Sequence, residues 1–398
     1  MSVRKRSWRT QKGEIKETWI VDYADQHGER HIKTFTRKRD ADAYHARVAV
    51  DVGAGTHTAD SRSITIAEAG RLWIESGEAA KLERSTLEQY QRHLDLHISP
   101  FIGPVKLAQL TAPIVRAFED QLRASRSPAM LRKILVSLSA ILGDAQERGL
   151  VAQNVAGGLR ARRPRGKERH ADRRQKGRLK VGVDIPTPDE IRAAIAHLEG
   201  RWRPMLLTAI FTGLRMSELR GLRWTDVDFK RSEIHVRQRA DRWRMIGRPK
   251  SEAGERTIPL PPMVMNALRE WKLVCPKGEL DPAFPNGAGR VEDSSNIIQR
   301  AWIPNQLAAG ITTKHGQAKY PGLHALRHFY ASWCINRRVD GGLELPLKVV
   351  QARLGHASIQ MTADRYGHLF PRGDDGAELA AAEKALLASS GAGLVGTL

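Results

Sequence analysis

Leu354-Gly-His-Ala-Ser-Ile-Gln-Met-Thr-Ala-Asp-Arg-Tyr-Gly-His368 reads as the end of one helix, 346–354, and the whole of the next, 358–366, with Gly355 and His356 between them. Working back, Leu323-His-Ala-Leu-Arg-His328 opens a helix over 323–337. A helix puts His324 and Arg327, three residues apart, on one face. Leu326, Phe329 and Trp333 read as core on the same helix, and His328 and His368 as structural. Further upstream, helices are expected over 295–309 and 262–273. They follow Arg248-Pro-Lys-Ser-Glu-Ala-Gly-Glu-Arg-Thr-Ile-Pro-Leu260, which reads as part of a hairpin over 244–260 turning near 252–254. A strand at 233–236 precedes it. Before that comes Thr212-Gly-Leu-Arg-Met-Ser-Glu-Leu-Arg-Gly-Leu222, at the end of helical patterns that begin with the capping box Thr187-Pro-Asp-Glu190. Residues 185–372 therefore form a mostly helical domain with one small sheet. An alanine-rich tail, 373–398, carries a short helix around 377–388.

The whole chain has 398 residues, with 65 Lys or Arg against 44 Asp or Glu, a formal +21. That length suggests two to four domains at roughly 100–200 residues each. Arginine outnumbers lysine 46 to 19, and its planar fork suits bidentate phosphate contacts. So basic a chain points to a polyanionic partner, nucleic acid or an anionic membrane. No apolar run approaches the ~18 residues of a membrane span, and the N-terminus lacks the apolar core of a signal peptide. A soluble cytoplasmic protein without a membrane partner is expected. Cys275 and Cys334 are too few for a disulfide framework or a zinc site, and no metal is expected.

The charge is uneven: residues 160–180 alone carry +9. With Pro164, Gly166, Gly177 and almost nothing apolar, this run cannot bury a core, so 160–184 reads as a basic linker. Residues 61–159 read as an all-helical domain with helices near 66–76, 84–97, 112–124 and 128–148. Pro100, Gly103 and Pro104 break the second from the third. Residues 1–60 read as a three-stranded sheet plus helix. Two strands fall at 18–23 and 30–35, and a helix at 39–50 buries Ala41, Ala43, Tyr44 and Val48. The fold class is mainly α with small β elements.

Singly, the C-terminal motifs are unremarkable: a lone arginine pairs with an acid, a lone hairpin lysine is solvated, and a lone tyrosine packs in a core. Together and in this order they resemble the tyrosine recombinases, in the phage-integrase branch. Matched by position, the resemblance makes Arg215 the first catalytic arginine and Lys250 the hairpin lysine. His324 and Arg327 match the His-x-x-Arg pair, His356 the histidine after Leu-Gly, and Tyr366 the nucleophile. Glu218 matches a glutamate that supports the site. The resemblance implies metal- and ATP-independent DNA strand transfer with no cofactor. Two guanidiniums suit the charge of a pentavalent phosphate. A tyrosine with pKa near 10 is only about 0.1% ionised at pH 7, so it needs a proton acceptor, for which His324 is the expected partner.

The resemblance extends less specifically to the other two units. It makes 61–159 a core-binding domain and 1–60 an arm-type DNA-binding domain, contacting DNA through Arg4, Lys5, Arg6, Arg9, Lys33, Arg37, Lys38 and Arg39. Arg160, Arg162, Arg163 and Arg165 supply linker contacts. The implied partners are double-stranded attachment-site DNA and further copies of the chain, as a tetramer on two sites. A recombination directionality factor is a third implied partner. The implied setting is a bacterial or phage-infected cell. Competing readings are a chromosome-dimer resolvase, a topoisomerase IB-like enzyme and a non-catalytic sequence-specific DNA-binding protein.

Overall fold

The computed structural model describes residues 1–9, 15–25, 28–53, 59, 63–157, 178–371 and 375–389. Arg160, Arg162, Arg163 and Arg165 lie outside the described residues. The chain divides into two units, Met1–Arg165 and Gly166–Leu398.

In the first unit, β1 (Ser2–Arg9), β2 (Ile15–Ala24) and β3 (Arg30–Phe35) form an antiparallel sheet in chain order. Directly opposed residues share a face. The register sets Val3 against Val21 and Trp19 against Phe35, so these four and Tyr23 form one apolar face. The helix α1 (Lys38–Gly53) covers it with Ala41, Tyr44 and Val48, a spacing of three and four residues. Ala43, expected on that side, falls off the stripe and is exposed.

The rest of this unit is helical. It comprises α2 (Ile66–Ala79), α3 (Arg84–His93), α4 (Ser99–Ile102), α5 (Ala112–Ser125) and α6 (Pro128–Glu147). Thr65 and Glu68 close a reciprocal capping box at the start of α2. The break expected from Pro100, Gly103 and Pro104 falls after Ile102, with Gly103 at the helix end, so Pro100 itself stays helical. A π turn over Leu94–Ile98 carries α3 directly into α4. A widened turn already loosens the hydrogen-bond ladder, so the missing N–H of proline costs little there. The core is a single cluster that includes Ile66, Leu94, Phe118, Leu122, Ile134 and Leu138.

The second unit opens with α7 (Pro188–Ala196), capped by Thr187 and Glu190, then α8 (Trp202–Thr212) and α9 (Met216–Gly221). A sheet of β4 (Val227–Asp228), β5 (Glu233–Val236) and β8 (Arg256–Pro259) is separate from a two-stranded ribbon of β6 (Arg239–Ala240) and β7 (Ile246–Gly247). The expected 244–260 hairpin is thereby corrected, since its two arms pair with different strands. β7 turns back onto β6 through Asp241–Met245, and β8 crosses to β5. The segment holding Lys250 is the connection between the two sheets.

The helix α10 (Pro262–Val274) follows. Then α11 (Ser294–Asn296) runs through a second π turn into α12 (Ile303–Ala308). The last helices are α13 (His324–Ile335), α14 (Leu347–Leu354), α15 (Ile359–Tyr366) and α16 (Asp375–Ser389). α8 is buried on nearly every side and packs between α10 and α13, as an all-apolar helix must. Among the described residues, no helix is long and apolar enough to cross a membrane.

Candidate active site

Two glycine helix ends build the site. α8 stops at Gly213, whose φ of 60° is left-handed and whose Cα faces the Tyr330 ring so closely that a Cβ would lie 2.5 Å from it. α14 stops at Gly355, φ 63°, where a Cβ would lie 2.8 Å from the Ala253 carbonyl oxygen. Each turn exposes carbonyl oxygens that helix hydrogen bonds no longer use, and two arginines take them. Arg327 on α13, 2% exposed, donates to Gly213 O at 2.7 Å and Leu354 O at 2.5 Å. Arg215 donates from Nη2 to Gly355 O at 3.0 Å. The chain on either side of these glycines thus carries Arg215 and His356 into one cluster with Arg327.

Glu218 sits one turn into α9 and reaches back to Arg215. Its carboxylate accepts from the Arg215 backbone N–H at 2.9 Å and from Nη1 at 2.6 Å. Burial alone pushes this carboxyl up. The hydrogen bonds and charge of Arg256, with the charge of Arg215, outweigh it and hold Glu218 down to about 2. Burial draws the Arg327 guanidinium down to about 9, with Arg215 adding like-charge repulsion, and it stays cationic at neutral pH.

Tyr366 ends α15 and is 1% exposed. Its hydroxyl lies 2.7 Å from Nδ1 of His328, not beside His324 as expected. His324 is exposed at the start of α13, its ring edge-on to His328 with centroids 4.5 Å apart. Four residues separate the two histidines, so one helical face carries both. That spacing was the available signal for His328. With Tyr366 donating, a neutral His328 carries its proton on Nε2. Burial raises the Tyr366 hydroxyl above its ordinary range, and Arg327, Arg365 and Arg215 only partly offset it. His356 is buried, hydrogen-bonds through Nδ1 to Thr362 Oγ1 at 2.9 Å, and lies parallel to the Tyr366 ring.

Lys250 is exposed on the β7–β8 connection. Arg256, missed in the sequence, donates twice to Glu218. Trp333 is only half-buried, while Leu326 and Phe329 are core. In the N-terminal module the expected DNA contacts divide between faces. The register puts Arg4 and Arg6 on the open face of the sheet and Lys5, Arg9 and Lys33 on the side that α1 covers. Arg4 pairs with Asp22 at 3.2 Å and Lys5 with Glu17 at 2.7 Å. Lys33 Nζ lies 4.3 Å from the Tyr44 ring centroid. Arg37, Lys38 and Arg39 are exposed at the start of α1.

Among the described residues, two groups hold carboxylates and a histidine within ligand distance of one another: Asp25, Glu29, His31 and Asp228, Glu233, His235. Both are satisfied by bonds of their own, His31 to Asp25 at 2.8 Å and His235 to Thr257 at 2.9 Å. Neither includes a residue of the Tyr366 cluster.

Residues 186–372 match the phage integrase family, and residues 65–122 match the N-terminal SAM-like domain of phage integrases. The chain belongs to the tyrosine recombinases. Relatives of this recombinase include a XerC-like tyrosine recombinase of Caldanaerobacter subterraneus, 25% identical over 79% of this chain and 81% of that one. The integrase of Mycobacterium phage L5 is 26% identical over 67% of this chain and 71% of its own. Its fold is shared with solved integrases. The Tn1549 transposon integrase bound to circular-intermediate DNA has TM-score 0.61, 18% identity, and coverage of 81% of this chain and 100% of that one. A lambda integrase dimer on a core site has TM-score 0.57, 16% identity, and coverage of 93% and 97%.

The buried histidines make a pH prediction. Burial first, then neighbouring positive groups, hold His328 down to about 3 and His356 to about 4. The unfolded chain takes up protons on both below about pH 6.5, while the fold does not, so stability falls as pH drops through that range. The thermal midpoint should decline from pH 7 to pH 4.5, and His328→Asn should remove part of the slope. An unchanged slope in the variant would contradict a buried neutral His328.

Proposed function

We propose that this recombinase cuts and rejoins double-stranded DNA through a 3′-phosphotyrosine on Tyr366. The observation carrying the proposal is the Tyr366 hydroxyl held by His328 in a cluster that also contains Arg215, Arg327 and His356. Arg215 and Arg327 clamp the non-bridging oxygens and stabilise the charge that develops on them. The tyrosine oxygen attacks phosphorus as its proton passes to His328, whose basicity the negative charge of the bound phosphate raises above that in the free chain. The 5′-oxygen leaves with a proton from Lys250, and His356 donates a hydrogen bond to the phosphate. His324 backs His328 from the open side. Attack on the ester by a second 5′-hydroxyl reverses these steps and reseals the strand, so neither metal nor ATP is required. Glu218 positions Arg215.

The same reading makes the chain an integrase of a mobile element, working as a tetramer on two attachment sites in the cytoplasm, with a directionality factor for excision. Lambda integrase has been solved as a tetramer on a Holliday junction, which supports that assembly. Residues 1–60 bind arm-type DNA, with Arg4 and Arg6 on the face open to a groove. Residues 61–159 bind the core site, and 160–184 neutralise phosphates between them.

The test uses nicked duplexes made from sequences the full chain selects out of random DNA. A covalent adduct should form with EDTA present, and peptide mapping should place it on Tyr366. No adduct on any selected sequence, or one on another residue, overturns the proposal. An adduct lost with EDTA overturns the metal-free mechanism.

A further inference from the structure

Glu218 does not belong to Arg215 alone. Arg256, the first residue of β8, donates from Nη1 to Glu218 Oε1 at 3.2 Å and from Nη2 to Oε2 at 2.8 Å. Its side chain is 5% exposed and that of Glu218 3%, whereas that of Arg215 is 36% exposed. One carboxylate therefore faces two guanidiniums, of which only Arg215 opens to solvent. A single buried Glu–Arg pair is close to neutral and offers little to an incoming phosphate. With a second cation on the same carboxylate, one positive charge remains, and it remains on the open member.

We propose that Arg256 is a positioning residue that takes up the charge of Glu218 and so leaves Arg215 cationic toward the scissile phosphate. The proposal rests on the DNA-cleavage reading above. Arg256 is also fixed in place by two bonds that have nothing to do with charge balance. Its Nε donates to Arg353 O at 2.7 Å, at the end of α14, and Nη1 donates to Gly254 O at 2.9 Å, just past the Lys250 segment. Four bonds radiating from one plane need the guanidinium fork, which lysine lacks. The absence of a Cβ at Gly355 makes room for it, since a Cβ there would lie 2.8 Å from Arg256 Nη1.

The charge role and the bracing role separate in a double-mutant cycle. The full chain and its Arg256→Met, Glu218→Gln and doubly substituted forms are compared by single-turnover cleavage at saturating DNA, with thermal midpoints measured alongside. Arg256→Met should slow cleavage about 100-fold, comparable to losing one transition-state contact, because Glu218 then quenches Arg215. In the Glu218→Gln background the same substitution should change the rate less than about threefold, since no carboxylate is left to neutralise. The double variant removes the Glu218 carboxylate together with the Arg256 guanidinium that faces it, so neither is left buried without the other and the variant stays measurable even where Arg256→Met alone unfolds.

Two results overturn the proposal: an equal loss in both backgrounds, which marks Arg256 as a brace; or wild-type cleavage by Arg256→Met. Failure of the wild-type chain to form any adduct instead overturns the cleavage reading itself.

Discussion

Tyr366→Phe should bind the selected DNA as the wild-type chain does and form no covalent adduct. The substitution deletes one oxygen from a side chain that is 1% exposed and leaves the ring to fill the same space. DNA affinity is set over the whole phosphate-contacting surface, so losing a buried hydroxyl does not weaken it. Chemistry is lost outright because phenylalanine has no nucleophile. Tyr330, two residues after His328 on α13, is no ready substitute. Tyr330 is buried, and burial raises its hydroxyl well above the ordinary tyrosine range. Stability should fall as well, because His328 Nδ1 loses its 2.7 Å partner inside the fold. Leaving such a group unpaired costs about 1–3 kcal/mol, a drop of several degrees in thermal midpoint for a unit of this size. Band-shift affinity, adduct yield and a melting curve check the three parts. An adduct from Tyr366→Phe would remove the nucleophile from this mechanism. An unchanged melting curve would remove the His328 hydrogen bond.

The meeting of Arg215, Arg327, His356 and Tyr366 was legible from the order of the four motifs and their resemblance to one family, and the fold brings those four side chains into one cluster. The helix order was legible for a local reason. Thr187 and Glu190 close a capping box, and glycines stand at 213 and 355, where helices end left-handed. What stayed hidden depends on partners far along the chain. His328 adjoins Arg327 and reads as structural until α15 brings Tyr366 onto it across 38 residues. Arg256 reads as an ordinary strand residue, and only the fold shows it sharing Glu218 with Arg215. β1 carries little apolar signal of its own, because one of its faces is open and arginine-rich. Pairing with β2 makes it a strand. The two arms of the expected 244–260 hairpin have the right period, but period alone cannot say which strand each will pair with.

Arg327 should be the most damaging position after Tyr366, and lysine should not replace it. Arg327→Ala removes a buried charge from the proposed clamp and orphans the carbonyls of Gly213 and Leu354, which it holds at 2.7 and 2.5 Å. Those carbonyls belong to the two glycine turns that carry Arg215 and His356, so in the proposed mechanism one side chain both meets the phosphate and sets the spacing of its neighbours. Losing a single transition-state donor costs about 100–1,000-fold in rate. Arg327→Ala loses the charge and the spacing together, so cleavage should fall by at least about 1,000-fold. Arg327→Lys keeps a cation but has no fork to bridge two carbonyls. Its loss should be smaller, about 100-fold, with a lower thermal midpoint than wild type. DNA affinity should change little in either variant. Single-turnover cleavage and melting curves on all three chains separate the effects. If the lysine variant cuts at the wild-type rate, charge alone suffices and the planar bridge between the two turns has no catalytic role. If it is as slow as alanine, the bridge matters more than the charge.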